Sequence, residues 1–349
     1  MKVVVDDKIP WILPALLELA DEVVAKAGAD ISRADVADAQ ILIVRTRTRC
    51  NRQLLEGSRV RLVVTATIGY DHLDTDYLEA AGIEWANCPG CNANSVAQYI
   101  ANSLLAMQQT VSLQWKDDTI GIVGVGHVGT AVWRTLAELG CRHLLLCDPP
   151  RALAGDLPPD GGVWASMAQL QAEADIITLH IPLTTDGEYP THHLASADFF
   201  NSLSRQPVVI NAARGGVVDE EALLAAMDQG RVRAAVIDTW DQEPDINRQL
   251  LQRAAIATPH IAGYSADGKA TATRMTLEHI CRFLNRPMTF DIQPPRISPE
   301  TVGNATGSAL RLALYDPRRD SQWLKEQPEL FEYFRSHYPL RREQVEGTI

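Results

Sequence analysis

The sequence predicts an α/β protein with two doubly wound lobes and a small C-terminal segment. Two observations support this prediction. Short apolar, β-branched segments alternate with helical segments in two successive series, as in parallel sheets that are covered by helices. A glycine-rich turn at residues 124–129 lies early in the second series, between a strand and a helix. The length of 349 residues is enough for two or three domains.

The first series predicts one parallel sheet. We expect strands at Lys2–Val5, Ile41–Arg45 and Arg61–Thr65, with a helix over Pro10–Ala25 between the first two. A long helix should follow over Ser95–Gln109, because apolar residues recur there at helical spacing. This order of elements is typical of a doubly wound lobe.

The second series predicts a second parallel sheet. A buried strand is expected at Thr119–Val123 and a helix over Val128–Leu139, with Gly140 as its C-terminal stop. Further strands are expected at Leu144–Cys147, Ile176–His180, Val208–Ala212 and Ala234–Asp238. Past Leu284 a proline-rich stretch indicates a linker, and a charged, helix-prone tail follows to Ile349.

Composition and charge narrow the function classes. The hydrophobic share of 46% and the charged share of 22% are ordinary for a globular protein. A net charge of −12 argues against nucleic acid and anionic membranes as partners. No segment is apolar for long enough to span a membrane, and the N-terminus lacks the features of a signal peptide. We therefore expect a cytoplasmic protein that binds anionic substrates through local arginine clusters.

The cysteines indicate no special chemistry. Six are scattered along the chain, and only Cys88 and Cys91 form a C-x-x-C pair. Nothing pairs with this motif to complete a zinc site. Plain reduced thiols and no metal are expected, with redox or metal roles as the alternatives.

The turn Gly124-Val125-Gly126-His127-Val128-Gly129 predicts a dinucleotide site, because it follows a predicted strand and opens a predicted helix. The first glycine permits a tight turn, the second lets the backbone approach a pyrophosphate, and the third lets helix and strand pack closely. Free N–H groups at the helix N-terminus then favour the phosphates. A glycine-rich turn with only a structural role is the alternative.

Asp148 ends the next predicted strand, 19 residues after Gly129. A carboxylate at about this spacing accepts the hydroxyl groups of the adenosine ribose and would repel a 2′-phosphate. We therefore expect NAD rather than NADP. The positive charge of nearby Arg151 argues in the opposite direction.

Three separated segments each place one polar residue at the end of a predicted strand. Arg214 can hold a substrate carboxylate through two parallel hydrogen bonds. His260 can accept the hydroxyl proton of a 2-hydroxy acid while hydride leaves its C2 carbon. Glu243 can fix the tautomer of His260 and stabilise the imidazolium. Each residue alone could be an ordinary loop residue, so the hypothesis depends on the ordered set at one edge of a sheet.

The segments around these residues resemble the signatures of the D-2-hydroxy acid dehydrogenase family: Asn211–Leu223, Asp238–Pro244 and Thr258–Gly263. The resemblance covers roughly residues 40–285. It implies an NAD-binding Rossmann domain at 95–257 and a flavodoxin-like substrate lobe at 1–94 that residues 258–284 complete. Residues 285–349 begin with the linker, and the segment Leu314–Asp320 resembles the C-terminal dimerisation segment of one branch of this family, which implies a homodimer.

The resemblance implies roles for individual positions. Arg214, Glu243 and His260 match the catalytic arginine, glutamate and histidine of the family. The cofactor positions, besides the glycine-rich turn, are matched by Asp148, Thr178, Asp238 and Gly263. The substrate positions are matched by Thr46, Thr67 and Tyr264. One departure is Gln98, which stands where a glutamate is usual.

Finer features are similar to one branch of this family, which oxidises 4-phospho-D-erythronate to 2-oxo-3-hydroxy-4-phosphobutanoate with NAD in pyridoxal 5′-phosphate (vitamin B6) biosynthesis. They include Thr65–His72, Cys147–Arg151 and His260–Ser265. This resemblance implies a small phosphorylated 2-hydroxy acid as substrate. Another family member, such as a 3-phosphoglycerate dehydrogenase, and an NAD-sensing binding protein without turnover are the alternatives.

An arginine cluster gives separate support for a phosphorylated substrate. Arg45, Arg47 and Arg49 alternate, so they would project from one side of an extended segment. In a chain of negative net charge, such a cluster predicts a phosphate-binding site, and we assign Arg45 to it. A solvated face of an edge strand is the alternative.

Overall fold

Parallel strands form the framework of the computed structural model, which describes residues 1–108, 110–159, 161–297 and 302–343. In chain order, the strands are β1 (Lys2–Asp6), β2 (Glu22–Lys26), β3 (Ile41–Val44), β4 (Leu62–Thr65), β5 (Glu84–Ala86), β6 (Thr119–Val123), β7 (His143–Cys147), β8 (Ile176–Leu179), β9 (Val208–Asn211), β10 (Ala234–Ile237) and β11 (Ile256–Ala257).

Helices connect these strands and continue after the last one. They are α1 (Ile12–Leu19), α2 (Arg33–Val36), α3 (Arg52–Leu55), α4 (Thr75–Ala80), α5 (Ala93–Met107), α6 (His127–Glu138), α7 (Pro149–Leu153), α8 (Met167–Glu173), α9 (Ala197–Asn201), α10 (Glu220–Asp228), α11 (Arg248–Arg253), α12 (Ala266–Phe283), α13 (Gly307–Leu314), α14 (Pro317–Glu326) and α15 (Phe331–Ser336). None of the described helices is both long enough and apolar enough to cross a membrane.

The described chain divides into two compact units. Met1–Asn92 and Ser265–Arg296 form the first, and Ala93–Tyr264 with the described residues from Ile297 onward form the second. Each unit contains one parallel sheet with helices. The predicted α/β class with two doubly wound lobes is therefore confirmed.

The described part of the first unit contains a five-stranded sheet in the order β2-β1-β3-β4-β5. This is the order of flavodoxin-like sheets. All four residues of β3 and all four of β4 are buried, as expected for strands covered on both faces. The strand order reverses between β1 and β3, so the loops that follow these two strands flank the position where doubly wound sheets bind ligands.

The described part of the second unit contains a six-stranded sheet in the order β11-β10-β9-β8-β6-β7. A single parallel bridge between Leu146 of β7 and Trp164 adds a rudimentary strand at the outer edge. With this bridge counted as the third strand, six of the strands follow the 3-2-1-4-5-6 order of dinucleotide-binding folds, and β11 adds a seventh strand at the opposite edge. The order reverses between β6 and β8, and the glycine-rich turn follows β6 directly.

Two sequence predictions differ from the structure in this framework. The helix predicted over Pro10–Ala25 ends at Leu19, and Glu22–Lys26 forms the edge strand β2 instead. The branched side chains of Val23 and Val24 suit a strand, and pairing with β1 outweighs the helical spacing. The sequence gives no bounds for β5 or for β11, the strand expected before His260, because three and two residues are too short to show a period.

The other predicted strands end within one residue of their observed bounds. The helix predicted to reach Gln109 covers Ala93–Met107, and Gln109 itself lies outside the described residues.

The C-terminal segment packs against the second unit. Leu324 and Phe331 belong to the hydrophobic core of that unit. The Asn102 amide of α5 donates to the carbonyls of Arg311 and Tyr315, at 3.0 and 2.6 Å. Residues 298–301 of the predicted linker and 344–349 of the tail lie outside the described residues, and the dimerisation role stays a prediction.

Candidate active site

The glycine-rich turn connects β6 to α6 at the carboxyl edge of the second sheet. Gly124 has a φ of +84°, a left-handed conformation that favours glycine. A Cβ at Gly129 would overlap the carbonyl oxygen of Gly124, so only hydrogen fits there. A Cβ at Gly126 would meet nothing within 4 Å, which leaves the backbone open to a ligand. The turn therefore fits the three glycine roles of a dinucleotide site.

Asp148 lies at the end of β7, next to this turn. Its Oδ2 accepts the Val125 N–H at 2.8 Å, and its Oδ1 accepts the Arg151 N–H at 3.3 Å. The Arg151 guanidinium donates to the Val125 carbonyl and pairs with Asp156 at 2.7 Å. Because Arg151 already has a carboxylate partner, its attraction for a 2′-phosphate is reduced.

Two other residues that were predicted to bind the cofactor form hydrogen bonds inside the protein. Thr178 is fully buried, and its Oγ1 lies 2.9 Å from Nε2 of His180. Burial lowers the pKa of His180 to about 3, so this imidazole is neutral near pH 7. The carboxylate of Asp238 is 1% exposed and accepts the Thr258 hydroxyl at 2.6 Å. The hydrogen bond between Thr258 and Asp238 joins the ends of the neighbouring strands β10 and β11.

His260 and Glu243 form a hydrogen-bonded pair, which we call the dyad. Nδ1 of His260 lies 3.0 Å from Oε1 and 2.9 Å from Oε2 of Glu243. A carboxylate at Nδ1 leaves Nε2 as the proton acceptor of the neutral imidazole. Burial raises the pKa of Glu243, but His260 and then Arg335 outweigh burial and hold this pKa below its ordinary value. Glu243 is therefore ionised near neutral pH and can stabilise an imidazolium.

The backbone of His260 has an uncommon conformation. Its φ is +56°, in the left-handed region that only a few per cent of residues other than glycine adopt. Such a conformation costs about 1 kcal/mol. The His260 N–H donates to the Asp238 carbonyl at 2.8 Å, which helps to hold the residue there.

Residues 260–264, which we call the histidine loop, are held between two buried charges. Asp238 accepts the N–H groups of Ile261 and Ala262, at 2.8 and 2.9 Å. Arg341 is 7% exposed and lies on the other side of the loop. It donates to three carbonyls of the loop, those of Ile261, Ala262 and Tyr264. Both kinds of backbone group in this irregular segment are thereby paired.

The structure explains the departure at Gln98. Its Oε1 accepts from Nε of Arg341 at 3.0 Å, and its Nε2 donates to the carbonyls of Arg342 and Glu343. An amide can accept and donate at once, whereas a carboxylate at this position could not donate to the two carbonyls. No sequence pattern indicates this role of Arg341, because the residue lies in a charged tail that looks solvated.

Arg214 lies on the loop after β9, beside the loop that carries Glu243. Its Nη1 donates to the Ala213 carbonyl at 2.8 Å. The next residue, Gly215, packs so closely that a Cβ would overlap the Trp240 carbonyl. The indole of Trp240 in turn donates to the Thr258 carbonyl at 3.0 Å. The loops after β9, β10 and β11 are therefore joined side by side, with the dyad in direct contact and Arg214 on the adjacent loop.

The predicted substrate residues of the first unit follow β3 and β4. Nε of Arg45 donates to Oδ2 of Asp6 at 3.2 Å, and Asp6 is fully buried at the end of β1. Thr46 is exposed in the turn that follows Arg45. Thr67 lies two residues past β4, and its hydroxyl donates to the Gly69 carbonyl at 2.8 Å.

The prediction that Arg45, Arg47 and Arg49 lie in an extended segment is wrong. Strand β3 ends at Val44, and a turn follows at once. The buried Thr48 hydroxyl donates to a carbonyl 20 residues earlier, at 2.7 Å, which draws the chain inward. Alternation along a strand therefore does not place the three arginines on one side.

The C-x-x-C motif lies inside the first unit. All six cysteines are free and buried. Burial raises the pKa of the Cys88 thiol to about 11, which disfavours the thiolate that redox chemistry needs. The described residues contain no cluster of three or more His, Cys, Asp or Glu suited to a metal ion.

Comparison with known proteins identifies the family. A family model described as D-isomer specific 2-hydroxyacid dehydrogenase, NAD binding domain, matches residues 92–262. An erythronate-4-phosphate dehydrogenase of Bacteroides thetaiotaomicron is 50% identical over 349 residues, which covers 100% of this chain and 99% of the relative. The chain belongs to the D-2-hydroxyacid dehydrogenase family. Within the family it belongs to the erythronate-4-phosphate dehydrogenases, and the family and branch predicted from the sequence are confirmed.

Other relatives agree with this assignment. An erythronate-4-phosphate dehydrogenase of Edwardsiella ictaluri is 44% identical, over 98% of this chain and 93% of the relative. The D-lactate dehydrogenase of Aquifex aeolicus, solved with NAD and lactic acid, matches with a TM-score of 0.66 and 23% identity, over 82% of this chain and 96% of that chain. At this identity the structural likeness shows the fold alone. The match to the NAD-binding family confirms the predicted cofactor.

Two alanine substitutions in the glycine-rich turn should separate folding from cofactor binding. Gly129→Ala forces a methyl group against the Gly124 carbonyl, so we expect a Tm loss of several degrees together with weaker NAD binding. Gly126→Ala meets open space, so its Tm should stay normal while NAD binds about tenfold more weakly, because the methyl group blocks the approach of the pyrophosphate. Thermal melts without NAD and fluorescence titrations with NAD measure both effects. A normal Tm for Gly129→Ala would contradict the close packing.

Proposed function

We propose that this chain oxidises 4-phospho-D-erythronate to 2-oxo-3-hydroxy-4-phosphobutanoate with NAD, as a step of pyridoxal 5′-phosphate biosynthesis. The dyad of His260 and Glu243, next to Arg214 at the carboxyl edge of an NAD-binding sheet, is the observation that carries the proposal. Relatives that bear the name erythronate-4-phosphate dehydrogenase, at 38–50% identity and over 98–100% of this chain, support the choice of substrate.

Each catalytic residue has one task in this proposal. The Arg214 guanidinium binds the substrate carboxylate through parallel hydrogen bonds. Nε2 of the neutral His260 accepts the proton of the C2 hydroxyl as the carbonyl forms. Glu243, at Nδ1, stabilises the imidazolium that results. NAD, when bound, supplies the acceptor for the C2 hydride. In the reverse reaction the His260 imidazolium returns the proton to the oxygen.

We assign the substrate phosphate to Arg45, with Thr46 and Thr67 as further contacts. Arg45 follows β3 and Asp6 ends β1, the two strands between which the order of the first sheet reverses. The ion pair with Asp6 orients a guanidinium whose side chain is 23% exposed. Tyr264 is the corresponding substrate contact in the second unit.

We also infer that the protein is cytoplasmic and homodimeric. The six free, buried cysteines support the compartment. The resemblance of the C-terminal segment to the dimerisation segment of the branch supports the oligomeric state.

A comparison of substrates tests the function. NADH absorbance is followed with 4-phospho-D-erythronate, 3-phosphoglycerate and D-lactate under the same conditions, and we expect 4-phospho-D-erythronate to give the highest kcat/KM. A higher kcat/KM for 3-phosphoglycerate would show that the protein catalyses another reaction of the family. Affinity for NAD without NADH formation from any of the three would indicate a binding protein.

The substitution His260→Asn should abolish turnover and preserve cofactor binding. Asparagine tolerates the left-handed φ of this position, so the fold should persist. Loss of the proton acceptor should lower kcat about 1000-fold while the Kd for NAD stays within about twofold. His192→Asn, at an exposed histidine, is the matched control and should keep full activity. Survival of kcat in His260→Asn would disprove the assignment of the base.

Arg45→Ala should discriminate between phosphorylated and unphosphorylated substrates. We expect the KM for 4-phospho-D-erythronate to rise about tenfold or more, because a charge-assisted hydrogen bond is lost. The KM for D-erythronate should change little. Arg49→Ala, at an exposed arginine of the same segment, serves as the control. Equal effects of Arg45→Ala on both substrates would exclude a phosphate contact.

A further inference from the structure

The dyad has a second cationic neighbour, which comes from the C-terminal segment. Nη1 of Arg335 donates to Oε2 of Glu243 at 3.3 Å. The same oxygen lies 2.9 Å from Nδ1 of His260. The side chains of Arg335 and Glu243 are 18% and 17% exposed, so solvent screens their interaction only in part. One carboxylate oxygen is thus shared by a guanidinium and an imidazole.

The packing of α15 fixes the position of Arg335. Phe331, one turn earlier on the same face of this helix, is 1% exposed and lies in the core of the second unit. Phe334 packs partly buried against the same core. The Arg335 side chain also forms a hydrogen bond with Tyr264 of the histidine loop. Arg335 is therefore anchored at its backbone and engaged at its guanidinium.

The charged groups around the dyad come from several elements. Asp238, at the end of β10, and Glu220, on α10, contribute negative charge. The phenol of Tyr264 faces Arg335, and Arg341 lies behind the histidine loop. Negative groups near an imidazole favour its protonated form, and a nearby guanidinium favours the neutral form. Arg335 acts against Glu243 and Asp238 in this balance.

We propose that Arg335 is a positioning residue of the dyad, which holds the Glu243 carboxylate against Nδ1 of His260 and offsets part of its charge. This inference rests on the proposed function, in which the C2 hydroxyl proton moves to Nε2 of His260. The guanidinium neutralises part of the Glu243 charge and keeps the carboxylate facing Nδ1. The same charge disfavours the imidazolium that the reverse reaction requires.

The test compares Arg335→Gln, which removes the charge, with Arg335→Lys, which keeps it. The pH dependence of kcat/KM is measured for oxidation of 4-phospho-D-erythronate and for reduction of its keto product. In Arg335→Gln, the acid limb for oxidation should move up by about one pH unit. The alkaline limb for reduction should move up by a similar amount. In the pH range between the wild-type and variant limbs, the variant should therefore oxidise more slowly and reduce faster than the unmodified protein. Arg335→Lys should restore most of the wild-type profile.

If Arg335 had only a structural role, Arg335→Gln would lower kcat/KM for oxidation and for reduction at every pH without moving the limbs. That result would overturn the proposal. Arg318→Gln is the matched control, because Arg318 pairs with Asp316 at 2.6 Å and the structure gives it no contact with the dyad. Its profiles should equal those of the unmodified protein.

A titration without turnover separates this proposal from the proposed function. The imidazole signals of His260, assigned by their loss in His260→Asn, are followed by NMR against pH in the presence of NAD. The midpoint should move up by about one pH unit in Arg335→Gln. If the unmodified protein forms no NADH from 4-phospho-D-erythronate, the proposed function fails, and the midpoint still decides the role of Arg335. An unchanged midpoint would disprove that role.

Discussion

The geometry of the catalytic site depends on the pairing of the histidine loop with two opposite buried charges. Asp238 binds N–H groups of the loop, and Arg341 binds its carbonyls. An irregular segment with unpaired backbone groups in the interior would cost about 1–3 kcal/mol for each group. With these groups paired, the loop can keep His260 in a left-handed conformation that is unfavourable on its own. The position of His260 thus depends on the hydrogen bonds that these two charged side chains make with the residues after it.

The sheet and the C-terminal segment make separate contributions to this site. Parallel strands bring the loops after β9, β10 and β11 to one edge, which is general to doubly wound folds. The match to the NAD-binding family ends at residue 262, whereas Arg335 and Arg341 come much later in the chain. The first of these later arginines contacts Glu243, and the second supports the loop that carries His260. In this chain, residues after 302 therefore contact both the dyad and the loop that carries it.

Features with a local signal could be predicted from the sequence, and those set by distant contacts could not. Buried strands and the glycine-rich turn each have a compact pattern, so both sheets and the cofactor turn were found. Strand β2 was missed because its pairing with β1 is visible only in three dimensions. The alternation of Arg45, Arg47 and Arg49 predicted an extended segment. The chain turns there instead, and a hydrogen bond from the Thr48 hydroxyl to the Gly28 carbonyl stabilises the turn. The C-terminal arginines gave no signal, since charges in a polar tail normally face solvent.

The hydrogen bonds from Arg341 to the histidine loop form late in synthesis, because the loop is translated long before this arginine. The residues of the second sheet and of the histidine loop are all synthesised before residue 341. Until then the carbonyls of Ile261, Ala262 and Tyr264 lack the guanidinium that pairs them in the finished molecule. In such a nascent chain, the loop that carries His260 lacks these three hydrogen bonds. The contacts that hold the histidine loop are therefore complete only after residue 341 has been synthesised.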